Sequence, residues 1–228
     1  DLDGLSDAKS GGTNFSNSMI LGHQTTGTLS SATYNVGLGF GSLQAITQGD
    51  ELVGAGYNSL YSNTTGSRNA ALGNEAMYSN TTGSYNAGVG YRALYANTTG
   101  NFNTAVGNST LGSNTTGREN SGFGHKALLS NTTGENNVAI GRRTLYTTTT
   151  SFYNSAVGAY ALEDANRTSD TNGYNVAFGY NAGNTGTNDI TTGNKNTLLG
   201  ASTAASAAAG TNQTVIGYGA SGVANNSV

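Results

Sequence analysis

Two pairs of neighbouring carboxylates, Asp50 with Glu51 and Glu163 with Asp164, are the residues of this chain best placed for acid–base chemistry. Facing carboxyls can cleave a glycosidic bond, one protonating the leaving oxygen while the other attacks or activates water. Neighbours on an extended strand point to opposite faces, however, so neither pair can converge on one bond. His23 and His125 each follow a glycine and could meet a metal on an axis shared by symmetry copies. Neither has a second ligand at useful spacing. Both are read as ladder positions in a column with Phe40, Tyr57, Tyr91, Arg142, Tyr180 and Tyr218.

Other candidates reduce to turn chemistry in the same way. The stretch SDTNG at 169–173 has part of a calcium-loop pattern without the remaining ligands, and is read as a solvated turn. Asn63, Asn80, Asn97, Asn114 and Asn131 each begin an Asn-Thr-Thr-Gly that could accept a glycan. The same four residues make a tight turn, with Asn tolerating left-handed angles and Gly supplying positive φ. Thr64 and Thr65 are adjacent rather than alternating, so a threonine face suited to ice is not expected. Tyr61, Tyr78, Tyr95 and Tyr146 share a column that could stack sugars or pack against a neighbouring chain. Cysteine is absent, which removes disulfides, thiolate metal sites and thiol nucleophiles. We expect no enzyme activity, no cofactor and no metal.

What must position these residues is a repeat. Gly22, Gly39, Gly56, Gly73, Gly90, Gly107, Gly124, Gly141 and Gly158 lie 17 residues apart; Gly179 and Gly200 follow at 21, and Gly217 at 17. Before each of these glycines the pattern has period two. One face holds Leu38, Leu72, Val89, Val106, Phe123, Ile140, Val157, Phe178, Leu199 and Ile216; the other holds Gly37, Gly54, Ala71, Gly88, Ala105, Gly122, Ala139, Ala156 and Ala177. Such alternation predicts a short strand with something passing close to its small-residue face. EAMYS, RALYA and YALEDAN look locally helical, but glycine or the Asn-Thr-Thr-Gly turn would interrupt a helix within a turn or two.

A 17-residue unit of two short strands and tight turns cannot fold alone, and stacking puts each strand about 4.8 Å from its counterpart. The expected fold is therefore all-β, a parallel β-solenoid of about twelve coils forming a rod on the order of 55 Å long. Asn35, Asn69, Asn86, Asn103, Asn120, Asn137, Asn154, Asn175 and Asn196, each four places before a register glycine, are read as a ladder. Proline is missing from the whole chain, as expected where backbone N–H groups are committed to ladders. Residues 1–17 are read as a lead-in. Residues 18–228 form the repeat shaft, with four-residue insertions near 163–173 and 183–194.

If the small residues line the lumen with Leu43, Leu60, Leu94, Leu111, Leu128, Leu145 and Leu162, the column from Leu38 to Ile216 must face out. A continuous outward apolar stripe demands a partner, most simply two further copies around a shared axis. We therefore expect an obligate homotrimer with that column as its seam. Composition narrows the partners further. Net charge is −3 and the nine Lys and Arg are scattered, so no footprint for nucleic acid appears. No apolar run nears the roughly 20 residues of a membrane span, so direct membrane insertion is not expected. The opening DLDGLSDAKS lacks the basic and apolar segments of an export signal.

The pentapeptides NTAVG, NVAIG, NSAVG, NVAFG and QTVIG resemble the NSVAIG-type head repeat of trimeric autotransporter adhesins over about residues 18–228. In its 17-residue form with an Asn-Thr-Thr-Gly turn, the chain looks like the repeats of phage tail-fibre proteins, and its opening is similar to the start of such repeat regions. The resemblance implies a left-handed parallel β-roll assembled as a homotrimer. It also implies a tail fibre or virion appendage, working with other virion or fibre proteins and meeting a host-surface glycan or protein. The alternative is a bacterial cell-surface adhesin or extracellular filament, which would need export and anchoring segments. A glycan-cleaving fibre is the third class. The insertions should project sideways, where loops vary contacts, making Asp164, Arg167, Asp170, Asn188 and Asp189 the candidate ligand residues. The last residues, GVANNSV, read as half of another strand, so the polypeptide is expected to continue past Val228 or to be capped there.

Overall fold

The computed structural model describes residues 8–10, 19–21, 30–165, 172–186 and 189–227. Two compact units divide the chain, Asp1–Thr116 and Gly117–Val228. In the first, β1 (Ala8–Ser10) pairs antiparallel with β2 (Met19–Leu21). From there β2, β3 (Val36–Leu38), β4 (Val53–Ala55), β5 (Ala70–Leu72), β6 (Ala87–Val89) and β7 (Thr104–Val106) pair in parallel, each with the next. In the second, β8 (Ser121–Phe123), β9 (Val138–Ile140), β10 (Ser155–Val157), β11 (Val176–Phe178), β12 (Thr197–Leu199) and β13 (Thr214–Ile216) do the same. Each unit is thus a parallel β-solenoid, and no helix occurs among the described residues.

Register follows the repeat. Gly37, Gly54, Ala71, Gly88 and Ala105 pair in sequence down the first unit. Ala156, Ala177 and Leu198 pair in the second despite the two 21-residue spacings, so both insertions are absorbed outside the strands. These inward residues are buried, and the space explains their size. A Cβ at Gly37 would lie 3.1 Å from the Ile20 side chain and 3.3 Å from Leu43. Leu43, Leu60, Leu94 and Leu111 in the first unit, and Leu128, Leu145 and Leu162 in the second, are fully buried, with Met77 filling the same place in its coil. At about 1.5 to 3 kcal/mol per buried Leu, this column is the main apolar stabilisation of each stack.

Two expectations need correction. Each coil has one three-residue strand, not two. The segment after the register glycine is a run of turns because alternate residues are left-handed, as at Asn58 (φ 52°) and Leu60 (φ 50°). It still hydrogen-bonds coil to coil: Leu43 N–H donates to Ser59 C=O at 3.0 Å, and Leu60 N–H to Ala76 C=O at 3.0 Å. A left-handed Leu costs about 1 to 2 kcal/mol, which burial of its side chain offsets.

The second correction concerns glycine. Positive φ belongs to the register glycines, as at Gly73 (φ 141°), whereas Gly66 and Gly83 of the Asn-Thr-Thr-Gly turns are not left-handed. Those turn glycines are needed for a different reason: a Cβ on Gly83 would stand 2.5 Å from both Asn80 Oδ1 and Gly100 C=O. At Gly66 and Gly83 the coils approach too closely for a side chain without a shift of the backbone.

Candidate functional site

The alternation that turns Gly and Ala inward turns a ribbon of large apolar groups outward. Leu38, Leu72, Phe123, Ile140, Phe178, Leu199 and Ile216 are each more than a third exposed, reaching 60% at Phe178 and 66% at Ile216, while Val89, Val106 and Val157 are half-buried. Val53 and Val176, two residues earlier in their strands, share the face. Beside it runs a column five places before the register glycines, containing exposed Tyr34, Tyr85 and Phe102 in the first unit and Tyr153 and Tyr174 in the second. These rings stack in pairs, Tyr85 on Phe102 at 4.8 Å and Tyr153 on Tyr174 at 5.0 Å. Taking about 200 Å² for a fully exposed large side chain, the face leaves on the order of 600 Å² of such residues open in the first unit and 750 Å² in the second.

Between the two columns of the first unit lies a groove of about 460 Å³, lined by Glu51, Arg68 and Tyr85 on one side and Val53, Ala70 and Ala87 beneath. Its charged wall is held by coil-to-coil bonds. Arg68 Nε donates to Glu51 Oε2 at 3.1 Å, its guanidinium also donates to the Tyr85 hydroxyl, and the guanidinium carbon stands 5.2 Å from the Tyr85 ring. The Glu51 bond foremost, then the Tyr85 bond, holds the Arg68 pKa above its ordinary value.

The residues singled out for chemistry are occupied with structure. Asp50 Oδ1 accepts from Thr33 N–H at 2.7 Å and Thr33 Oγ1 at 2.8 Å, while Glu51 faces Arg68. Glu163 pairs with Arg143 at 2.6 Å and accepts from Asn184 Nδ2 at 2.9 Å. These acids are thus engaged by different neighbours. His125 is exposed, and no group of three metal-ligating side chains occurs among the described residues. Of the insertion candidates, Asp164 and Asp189 are half-buried, and Asp189 Oδ1 accepts from Gly186 N–H at 2.5 Å. Arg167, Asp170 and Asn188, like His23 and most of SDTNG, lie outside the described residues.

Geometry closes two of the candidates, the Tyr78 ring and the turn asparagines. The Tyr78 ring is stacked between Tyr61 at 5.0 Å and Tyr95 at 5.3 Å, nearly parallel to both, so its faces are spent on its neighbours and cannot receive sugars. The asparagines of Asn-Thr-Thr-Gly are fully buried and none is left-handed, so in the folded chain their amides cannot carry glycans. They form a second ladder that the sequence reading missed: Asn80 Nδ2 donates to Asn63 Oδ1 at 2.7 Å, Asn97 to Asn80 at 2.8 Å, and Asn114 to Asn97 at 2.7 Å.

The ladder that was expected is present as well. Asn69 Oδ1 accepts from Asn86 N–H, and Asn86 Oδ1 from Asn103 N–H, both at 2.9 Å. Gly83 C=O joins the two ladders by accepting from Asn69 Nδ2 at 2.7 Å and Asn80 Nδ2 at 2.9 Å. The ion pairs Arg68–Glu51, Arg92–Glu75 and Arg118–Glu135 were also overlooked, although each lies one repeat apart and is visible when coils are read as columns. No protein-family model matches this chain, and neither does any curated protein or solved structure.

Proposed function

We propose that the chain is a structural and receptor-binding element of a phage tail fibre or virion appendage, assembled as a homotrimer and giving rigid reach and multivalent attachment to a host surface. The observation that supports this best is the outward apolar ribbon. A monomer's largest apolar patch is typically about 300 to 600 Å², and a stable partner interface buries about 800 Å² per side. The roughly 600 to 750 Å² of each unit's face belongs at that boundary, at or above the upper end of what a lone soluble protein usually exposes in one patch.

Three copies around one axis would hide the ribbon and add its transfer energy once per coil. Contacts on the remaining surfaces would then be displayed in triplicate, so weak single-site binding is multiplied by effective concentration. The engagement of Asp50, Glu51 and Glu163 in scaffold contacts favours architecture over hydrolysis. Sedimentation velocity of the purified chain tests the reading. The expected species has three times the chain mass; a monodisperse monomer would refute it.

A further inference from the structure

We infer that the groove of the first unit is the socket for a second copy of this chain, whose Leu72–Val89 ridge seats in it at the same height. This rests on the trimer proposed above and adds which surfaces meet. On β4, β5 and β6 two outward positions run side by side: a floor of Val53, Ala70 and Ala87, and a ridge of Ala55, Leu72 and Val89. The wall of Glu51, Arg68 and Tyr85 closes the far side of the floor. The face is therefore a trough next to a ridge, two different surfaces on one molecule.

A ridge beside a trough suits any closed ring about an axis parallel to the coil stack, because each copy's ridge can fill the next copy's trough, and the trimer proposed above is such a ring. Copies rotated about an axis parallel to the coil stack keep identical coils at identical heights. A neighbour's ridge then meets the floor residue of its own coil number.

Along the three strands of the groove, side-chain sizes fit that arrangement. The small ridge residue Ala55 stands with the large floor residue Val53, and the large Leu72 and Val89 stand with the small Ala70 and Ala87. Their summed bulk is held nearly constant, as interdigitated packing between equal heights requires. Compensation recurs in the second unit, where Phe123 stands with Ser121, Val157 with Ser155 and Leu199 with Thr197, whereas the Met19–Leu21 and Val36–Leu38 levels before the groove and the Val138–Ile140 and Val176–Phe178 levels after it are bulkier. An unrelated ligand lying in the trough would impose no such relation between neighbouring positions of one strand.

Because the chain has no cysteine, introduced thiols report without background. Chains carrying Ala70→Cys and chains carrying Leu72→Cys are refolded separately and as an equal mixture, then oxidised. The mixture should give disulfide-linked pairs on a non-reducing gel well beyond either variant alone, since a disulfide needs Cα atoms within about 7 Å. The introduced thiol of the assembled Ala70→Cys protein should also react with a bulky maleimide at least ten times more slowly than in denaturant. If sedimentation shows a trimer but the mixture links no better than the single variants, or that thiol stays fully reactive, the socket is wrong and the trimer stands. A monomer overturns both.

Discussion

Replacing Asn80 by alanine should expose how much of this fold is held by its buried amides. Asn80 is fully buried; its Nδ2 donates to Asn63 Oδ1 and Gly83 C=O, and its Oδ1 accepts from Asn97 Nδ2. Truncation removes three hydrogen bonds at about 1 kcal/mol each and strands Asn63 Oδ1 without that donor, a further penalty of about 1 to 2 kcal/mol. The expected loss is about 4 to 5 kcal/mol, large for a single substitution. Asn80→Asp keeps the shape but loses both donated bonds, so it should be about as damaging. Exposed Asn74→Ala should stay within about 0.5 kcal/mol. The assay is denaturant unfolding followed by circular dichroism, with protein concentration held fixed because association adds to apparent stability. A loss below about 1 kcal/mol for Asn80→Ala would show that the ladder is a consequence of stacking and not a cause of it.

Gly83→Ala should destabilise the protein as severely as Gly73→Ala, by more than about 3 kcal/mol, although only Gly73 has positive φ; a mild Gly83→Ala effect in the same unfolding assay would mean the coils can separate there. Burial, followed by the neighbouring Tyr61 and Tyr95, raises the Tyr78 pKa above the ordinary value near 10. A folded-state pKa above the unfolded one means its contribution is complete below pH about 10 and is lost as pH rises through the raised value. Absorbance titration of tyrosinate should therefore show a late-ionising component that Tyr78→Phe removes; an unchanged late component would reassign it.

The 17-residue spacing let the sequence alone determine the columns. In a parallel stack, residues one period apart must be vertical neighbours, so the small inner wall at Gly37, Gly54 and Ala71, the buried Leu43 and Leu60, and the outward Leu38 and Leu72 were all legible from alternation. The Asn35 column was legible too, because its offset from the glycine never varies and only Ser18, Leu52 and Gln213 depart from it in residue type.

Only the tertiary structure decided what the turns do. Asn, Thr and Gly favour a turn wherever they occur together, and local propensity is silent on whether the Asn63 amide points into the coil or into water. Its direction depends on the partners it finds, Gly66 C=O from its own turn and the Asn80 amide from the next coil. The left-handed Leu60 is likewise invisible in sequence, since a strained backbone angle persists only where surrounding contacts over-determine it. Periodicity therefore fixes which residues are neighbours, while the path of the chain between strands fixes which of those neighbours can bond.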